Sequence, residues 1–409
     1  MKASIISIGT EITTGEVADT NASYLAAQLS LLGLEVECLA AVPDRIDSLT
    51  EAFDHARRRA DVVLATGGLG PTDDDLTREA IAQVLGEQMF VAPDLERELR
   101  GIFAAMGRDM PASNIKQATL ILSAQAIPNP RGTAPGWWVE KDGKIIVAMP
   151  GPPVEMRRMW EAEIMPRLQG RAGHESVLVR TVKCFGLSEA EAGERAAPVF
   201  GMGNPVLGIY AKPDGIHLRL IARAAEERKA AALIAEAEGR LRGALGDHIW
   251  GVDAETIESV VGGMLTAGHL TLATMESCTG GLLASTITDV PGSSAYFKGG
   301  FVSYSNEMKV SLGVDARVIG EHGAVSGPVA EAMAEAARRQ LGADIGLSVT
   351  GVAGPDSLEG KPPGLAHIGI ADVTGARSVR GRYPARRGDV KRLAVTHALF
   401  LLRQKLAPC

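Results

Sequence analysis

The stretch D61-V-V-L-A-T-G-G-L-G-P-T-D-D-D75 decides the fold of the first part of the chain. DVVLA is a short apolar run bounded by turn residues, the pattern of a strand buried on both faces. Such strands belong to parallel sheets covered by helices. A helical pattern resumes over 76–85, so the glycines and aspartates occupy a strand-to-helix turn. Open α/β sheets bind ligands at these carboxyl ends. Glycine lets a backbone loop approach a phosphate closely, and a helix amino terminus adds N–H donors. Three adjacent carboxylates repel one another without a cation, and hard oxygens suit Mg²⁺ or Mn²⁺ bridging a diphosphate. Gly67, Gly68, Gly70 and Thr72 are therefore candidate diphosphate contacts, and Asp73, Asp74 and Asp75 candidate metal ligands. The competing structural account is a glycine turn with one aspartate capping the helix.

Outward from this turn, strand and helix signals alternate. A strand over 4–8 ends at Gly9, a helix covers 21–32, a strand 34–42 and a helix 46–60. A further strand, 144–148, runs into Pro150-Gly151-Pro152-Pro153. The alternation predicts a parallel sheet covered on both faces. Thr10, Glu11, Pro150 and Gly151 follow strand ends and are candidate ligand contacts, as are Asp19 and Asn21, which could equally cap the next helix. Residues 129–136 (NPRGTAPG) read as a turn-rich loop.

The pattern changes near His174. Strands over 176–184, 207–211 and 216–222, with helices over 189–199 and 225–245, make a small α+β unit. A third α/β unit starts near 251–255, with helices over 256–267 and 328–340, strands over 270–275 and 345–349, and a last helix over 389–405. The arginine-rich stretch 377–392 reads as a solvated helix start.

Composition narrows the function classes. The chain has 409 residues, 46% hydrophobic and 22% charged, as in globular proteins. Its net charge of −7 and 4% aromatic content argue against a nucleic-acid surface. Cys38, Cys184, Cys278 and Cys409 are scattered without a CxxC pair, which argues against a disulfide scaffold or a cysteine-based zinc site. The first residues turn polar too early for a signal peptide, and no apolar run reaches the ~18 residues of a membrane span. A cytoplasmic protein without membrane contact is expected.

The second chemical constellation is ESCTGG, 276–281, between a strand and a helix. It places Ser277 and Cys278 on a sharp turn whose following N–H groups, near 279–281, could stabilise an oxyanion. The alternative is a phosphate-binding turn that Ser277 merely caps. Lys309 could accept the serine proton if buried and neutral, with Tyr304 relaying it or positioning the base; otherwise it is an ordinary surface lysine. Cys278 is the competing nucleophile and would need a base to form thiolate. The turn Thr350-Gly351-Val352-Ala353-Gly354 follows another strand, and Arg386, Arg387 and Arg392 could clamp a phosphate.

Taken together, TGGLGPTDDDLTRE, NPRGTAPGW, AMPGPPVEM, YAKP, ESCTGGLLAS, DVPGSSAYF, YSNEMK, GAVS and TGVAGP resemble the CinA family, in the family's order and over nearly the whole chain. The resemblance implies a molybdopterin-binding-like α/β domain at 1–172, a small KH-like α+β unit at 173–252 and an α/β amidase domain at 253–409. It implies a metal-dependent ADP-ribose pyrophosphatase, using Mg, Mn or Co, in the first domain. In the last it implies a cofactor-free deamidase of nicotinamide mononucleotide (NMN). Carried over residue by residue, Ser277 is the nucleophile, Lys309 its base and Tyr304 an assisting hydroxyl. Thr279, Gly280, Gly281, Asn306, Thr350, Gly351, Gly354 and Arg387 become contacts of the amidase substrate. Met275 departs from the family's usual alanine, and SLEGKPPGLAHIG from its glycine-rich loop. Two other classes stay open: a chain whose amino-terminal domain only binds a nucleotide or pterin, and a competence-associated binding protein. Within the central unit the only GxxG match, 243–246, holds no basic residue and sits at a helix end, unlike an RNA-clamping KH loop. A homodimer is the expected assembly.

Overall fold

The computed structural model describes residues 1–171 and 176–407, so His174, Cys409 and the expected boundary at 172/173 lie outside the described residues. The architecture is a three-domain α/β one. By packing, the chain forms two compact units, 1–178 with 223–231 and 179–222 with 232–409.

The first domain is built on a six-stranded sheet in the order β2-β1-β3-β8-β7-β6. Its strands are β1 (Lys2–Ile8), β2 (Glu35–Val42), β3 (Val62–Thr66), β6 (Ala124–Ile127), β7 (Gly136–Lys141) and β8 (Lys144–Met149). The short β4 (Phe90–Val91) and β5 (Thr119–Leu120) pair apart from it. β2, β1, β3 and β8 are mutually parallel, as the alternation predicts. β7 runs antiparallel to both its neighbours, β8 and β6, which corrects the all-parallel expectation. The cause is local: Asp142 and Gly143 have φ of 53° and 73°, and this two-residue turn folds β7 back onto β8. Apolar clusters flank both faces: Ile6, Phe53, Val63 and Ile81 on one, Ile5, Leu25, Leu64 and Trp160 on the other.

The central sheet runs β10-β11-β9-β12, with β9 (Ser176–Cys184), β10 (Val206–Lys212), β11 (Gly215–Ala224) and β12 (Ile249–Val252). Ser188 and Glu191 form a capping box on helix Glu189–Phe200. Just past β9, Phe185 packs its ring 5.4 Å from both Phe400 and His397 of the last helix and joins the core of the carboxyl-terminal domain.

That last domain has a five-stranded sheet, β14-β13-β15-β16-β17. Its strands are β13 (Leu272–Glu276), β14 (Phe297–Val302), β15 (Ile345–Gly351), β16 (Leu365–Asp372) and β17 (Gly375–Arg382). β13 is parallel to both neighbours; β16 and β17 are antiparallel. Side chains of β13 alternate as a two-residue period requires. Leu272 joins Val261, Leu265 and Leu399, whereas Ala273 and Met275 join Val329 and Met333 of helix Gly327–Leu341. Met275 is thus a core filler, fully buried. The same helix lies so close that a Cβ on Gly346 would collide with the Ala334 carbonyl. The arginine-rich stretch is not a helix start alone: Arg377, Arg380 and Arg382 lie on edge strand β17, and the helix begins at Arg387. No helix among the described residues is long and apolar enough to cross a membrane.

Candidate active sites

In the carboxyl-terminal domain, β13 delivers Ser277 to the carboxyl edge of the sheet, where its N–H bonds the Val349 carbonyl of β15 at 2.9 Å. The turn behind it is held by Glu276. This carboxylate is 1% exposed and accepts the N–H groups of Gly281 (3.0 Å), Leu283 (2.9 Å) and Ala284 (2.8 Å). It thereby satisfies orphan donors at the start of helix Leu282–Thr288. Gly280 and Gly281 have φ of 62° and 93°, conformations that a side chain would strain.

Two of the three N–H groups expected for an oxyanion are thereby occupied. Gly280 donates to the Ser277 carbonyl at 3.1 Å and Gly281 to Glu276. The Thr279 N–H has no partner among the described residues, nor does the buried Thr279 hydroxyl.

Lys309 sits on a short helix, Asn306–Ser311, whose other residues are solvent-facing. Its ammonium end nevertheless turns inward, is 1% exposed, lies 3.1 Å from Ser277 Oγ and donates to the Ser303 carbonyl at 2.9 Å. Burial lowers its pKa from the ordinary lysine value. The competing thiol goes the other way. Cys278 is buried, and desolvation, with the Glu276 charge adding to it, pushes its pKa up to about 12. A thiol so placed stays protonated, so the geometry and the acid–base chemistry both single out the Ser277–Lys309 pair.

Tyr304 has no hydrogen bond to Ser277 or Lys309 among the described residues. It is 61% exposed, and its hydroxyl accepts from Arg387 Nη2 at 2.9 Å, while Arg387 Nη1 donates to the Gly354 carbonyl at 3.0 Å. The Tyr304–Arg387–Gly354 chain joins two of the candidate substrate contacts, Arg387 and Gly354, to the candidate assisting hydroxyl. Thr350 is fully buried and bonds the Ala324 carbonyl, and Gly351 lies against β16, where a Cβ would crowd Ala366 and the Leu365 carbonyl; both shape the turn from behind. Asn306 is exposed at the start of the Lys309 helix.

Sequence inspection missed Lys391. Its ammonium lies 3.8 Å from where a Cβ on Gly280 would sit. Its position four residues after Arg387, on one helix face, was the available signal.

In the amino-terminal domain a cleft of about 390 Å³ opens at the carboxyl ends of β1, β3 and β8. Glu11, Gly67, Gly68, Gly70, Thr72, Asp74, Asp75, Pro150 and Gly151 line it. Thr10, Asp19, Asn21 and Asp73 do not. Asp19 caps helix Thr20–Leu31 through Ala22 N–H, and Asn21 donates to the Gly151 carbonyl at 2.7 Å, supporting the loop from below. Thr10 bonds Asp44 through both its N–H (2.7 Å) and its hydroxyl (2.9 Å). Asp44 and Glu155 also line the cleft and were overlooked. Asp44 follows the end of β2, the same strand-end rule that selects Gly67. The loop is tight by construction, for a Cβ on Gly67 would collide with the Ile8 carbonyl and one on Gly68 with the Thr77 hydroxyl.

The donor chemistry fits a hard divalent cation. Asp75 accepts from both the N–H and hydroxyl of Thr72, which leaves its other oxygen uncommitted, and Asp74 is exposed within the cleft. No three acidic, histidine or cysteine side chains among the described residues form a closed ligand cluster. A cation that keeps waters and takes substrate phosphates needs only one or two carboxylates.

A three-domain α/β protein with a strand-end serine facing a buried lysine amine is the class these features define. Model matches then cover the chain in three blocks: a probable molybdopterin binding domain over 4–170, a damage-inducible protein CinA KH domain over 179–251 and a CinA C-terminal domain over 254–406. The chain belongs to the CinA family. A Moorella thermoacetica protein named for competence-damage induction is 43% identical over 410 residues, 99% of each chain. A CinA-like protein of Synechococcus elongatus is 42% identical over 410 residues, 99% of this chain and 97% of its own. The crystal structure of a Thermoplasma acidophilum CinA of unknown function covers 41% of this chain and 99% of its own, at 32% identity and a TM-score of 0.39.

Proposed function

We propose that the chain is a bifunctional nucleotide hydrolase: the carboxyl-terminal domain deamidates NMN to nicotinic acid mononucleotide and ammonia, and the amino-terminal domain cleaves the diphosphate of ADP-ribose. The observation that carries the first half is the 3.1 Å approach of the buried Lys309 amine to Ser277 Oγ.

With its pKa lowered, neutral Lys309 accepts the Ser277 proton as Oγ attacks the carboxamide carbon. The tetrahedral oxyanion forms beside the free Thr279 N–H. The lysine then returns the proton to the departing nitrogen, which leaves as ammonia. Water, deprotonated by the same amine, attacks the resulting acyl-serine, and Oγ recovers a proton. Arg387 and Lys391 supply the positive charge that suits a nucleotide phosphate.

In the amino-terminal cleft, Asp74 and Asp75 would hold the divalent cation together with substrate diphosphate. A bound cation supplies charge neutralisation and Lewis acidity at phosphorus. The glycine loop contributes close backbone approach, and Asp44 and Glu155 add carboxylates to the same cleft.

The test is direct. Purified full-length protein is incubated separately with NMN and ADP-ribose, with and without chelator, and products are identified. Ammonia from NMN that survives chelation, with AMP and ribose 5-phosphate that do not, is the expected pattern. Absence of either product removes that half of the assignment.

A further inference from the structure

The loop between β15 and β16 is tied down at its start and at its tip. At its start the Gly354 carbonyl accepts from Arg387. At its tip Leu358 and Lys361 exchange both backbone bonds, at 3.1 and 2.9 Å, around the two-residue turn Glu359-Gly360. Both turn residues have positive φ, 53° and 70°. Glycine, asparagine or aspartate usually fills the first of these places, and glutamate there is uncommon.

The contacts of the Glu359 side chain account for its place. Oε1 accepts the Ala324 N–H at 3.1 Å, and Oε2 lies 3.2 Å from Lys361 Nζ, which itself donates to the His322 carbonyl at 3.1 Å. The tip sits so close that a Cβ on Gly323 would collide with both the carboxylate and the ammonium. The turn it grips, 323–325, leads to both reacting residues. The Ala324 carbonyl accepts from Thr350 Oγ1 at 2.8 Å, and Thr350 follows Val349, whose carbonyl holds the Ser277 N–H at 2.9 Å. Ala324 also shares an apolar cluster with Val314, whose N–H bonds the Lys309 carbonyl at 3.0 Å.

Burial lowers the Lys309 pKa, and Cys278, Glu359 and Glu307 act against that. The Cys278 thiol is kept protonated by its own burial, and Glu307, on the Lys309 helix, is exposed and screened by solvent. Ser277 and Ser303 present only a hydroxyl and a carbonyl. Of the nearby cations, Lys391 acts on Cys278, and Arg387 is held by Tyr304 and Gly354. Among the described residues, Glu359, its side chain 31% exposed, is thus the lasting charge that faces the amine from a separate element.

We propose that Glu359 is a positioning residue of the amidase: it latches the loop tip onto the 323–325 turn and sets a fixed negative charge against the Lys309 amine, so that it governs how readily that amine takes the Ser277 proton. The inference rests on the amidase reading and deepens it. A carboxylate in this place favours the ammonium form, and Lys361 tempers it by pairing with the carboxylate. Removing one member of the Glu359–Lys361 pair should therefore move the base in the opposite sense from removing the other.

The test compares Glu359→Gln with Lys361→Met in the full-length chain. Glutamine keeps an oxygen for the Ala324 N–H and loses the charge; methionine keeps the apolar stem and leaves the carboxylate unpaired. Two readouts are taken: the titration of Lys309 by NMR of ¹³Cε-labelled lysine, its resonance assigned by absence in Lys309→Met, and kcat/KM for NMN against pH. Glu359→Gln should move the Lys309 titration and the acid limb of kcat/KM down by at least about 0.5 pH unit, which makes the variant about threefold faster than wild type below the limb. Lys361→Met should move both up. A Lys309 titration that stays at its wild-type pH in both variants, with activity lowered equally at every pH, shows a merely structural latch and overturns the inference. Opposite shifts of the titration in a protein that releases no ammonia from NMN leave the Glu359–Lys309 link standing and remove the amidase reading.

Discussion

Replacing Lys309 by Met keeps the length and apolar stem of the side chain and deletes one nitrogen. That nitrogen contacts Ser277 Oγ at 3.1 Å and the Ser303 carbonyl at 2.9 Å, with solvent all but excluded. As general base it is expected to contribute about 10²–10⁴-fold in rate. At about 1.4 kcal/mol per tenfold, this is roughly 3–5.5 kcal/mol of barrier. Lys309→Arg should be as inactive, since guanidinium cannot give up its proton. Stability should behave unlike activity. Because burial lowers the folded-state pKa below the unfolded value of about 10.4, unfolding takes up a proton between those two values. Wild-type stability relative to Lys309→Met therefore rises with pH across that window, by at most about 1.4 kcal/mol per pH unit, and levels off above it. The assay pairs ammonia release from NMN, as kcat/KM against pH, with calorimetric unfolding of both proteins at several pH values. Wild-type kcat/KM should climb tenfold per pH unit and plateau below the ordinary lysine pKa. An inactive variant whose stability deficit is the same at every pH would show that Lys309 is structural and refute the general-base argument.

Cys278→Ala should keep deamidation within about threefold of wild type, and at pH 8 the thiol, kept protonated by burial, should resist iodoacetamide in peptide mapping. Glu276→Gln should lower the unfolding temperature of the carboxyl-terminal domain and its activity together. The neutral amide keeps at most two of three N–H acceptors, and a hydrogen bond to a charged group is worth about 1.5–3 kcal/mol. Asp74→Asn should abolish metal-dependent release of AMP from ADP-ribose while ammonia release from NMN persists; full cleavage by the variant in EDTA would remove the metal assignment. Lys391→Ala should raise KM for NMN about tenfold with kcat little changed, measured by steady-state kinetics, because it removes charge near the turn but no reacting group.

The residues that declare themselves in sequence are those whose chemistry is local. DVVLATGG announces a buried strand and tight turn whatever lies around it, and ESCTGG does the same at the second sheet. Lys309 illustrates the limit. Its helix carries solvent-facing neighbours, and spacing alone could not turn one ammonium inward; the family resemblance supplied the pairing. Glu276 went unread because nothing in a strand-end glutamate reveals that its oxygens will fold back onto a helix start. Asp19 and Asn21 show the converse, for residues at a ligand-binding strand end serve the helix and the loop beneath instead. The hairpin at β7 and β8 had a legible signal in Asp142-Gly143, but the tryptophan pair before it obscured the strand. β17 was obscured by its arginines, whose exposed edge position tolerates charge where a central strand would not.

Phe185 belongs to the central block in sequence and to the last domain in packing, so the two descriptions of where one module stops disagree. A polypeptide trimmed to begin at 253 would leave the Phe400 and His397 face of its final helix wet. Burial of a phenylalanine ring is worth about 1.5–3 kcal/mol, a sizeable share of what holds a domain of that length together. Shuffling of this module between genes is thus constrained where Phe185 and Trp250, both of the central block, join its core: either these aromatics travel with it, or the face they cover must become polar.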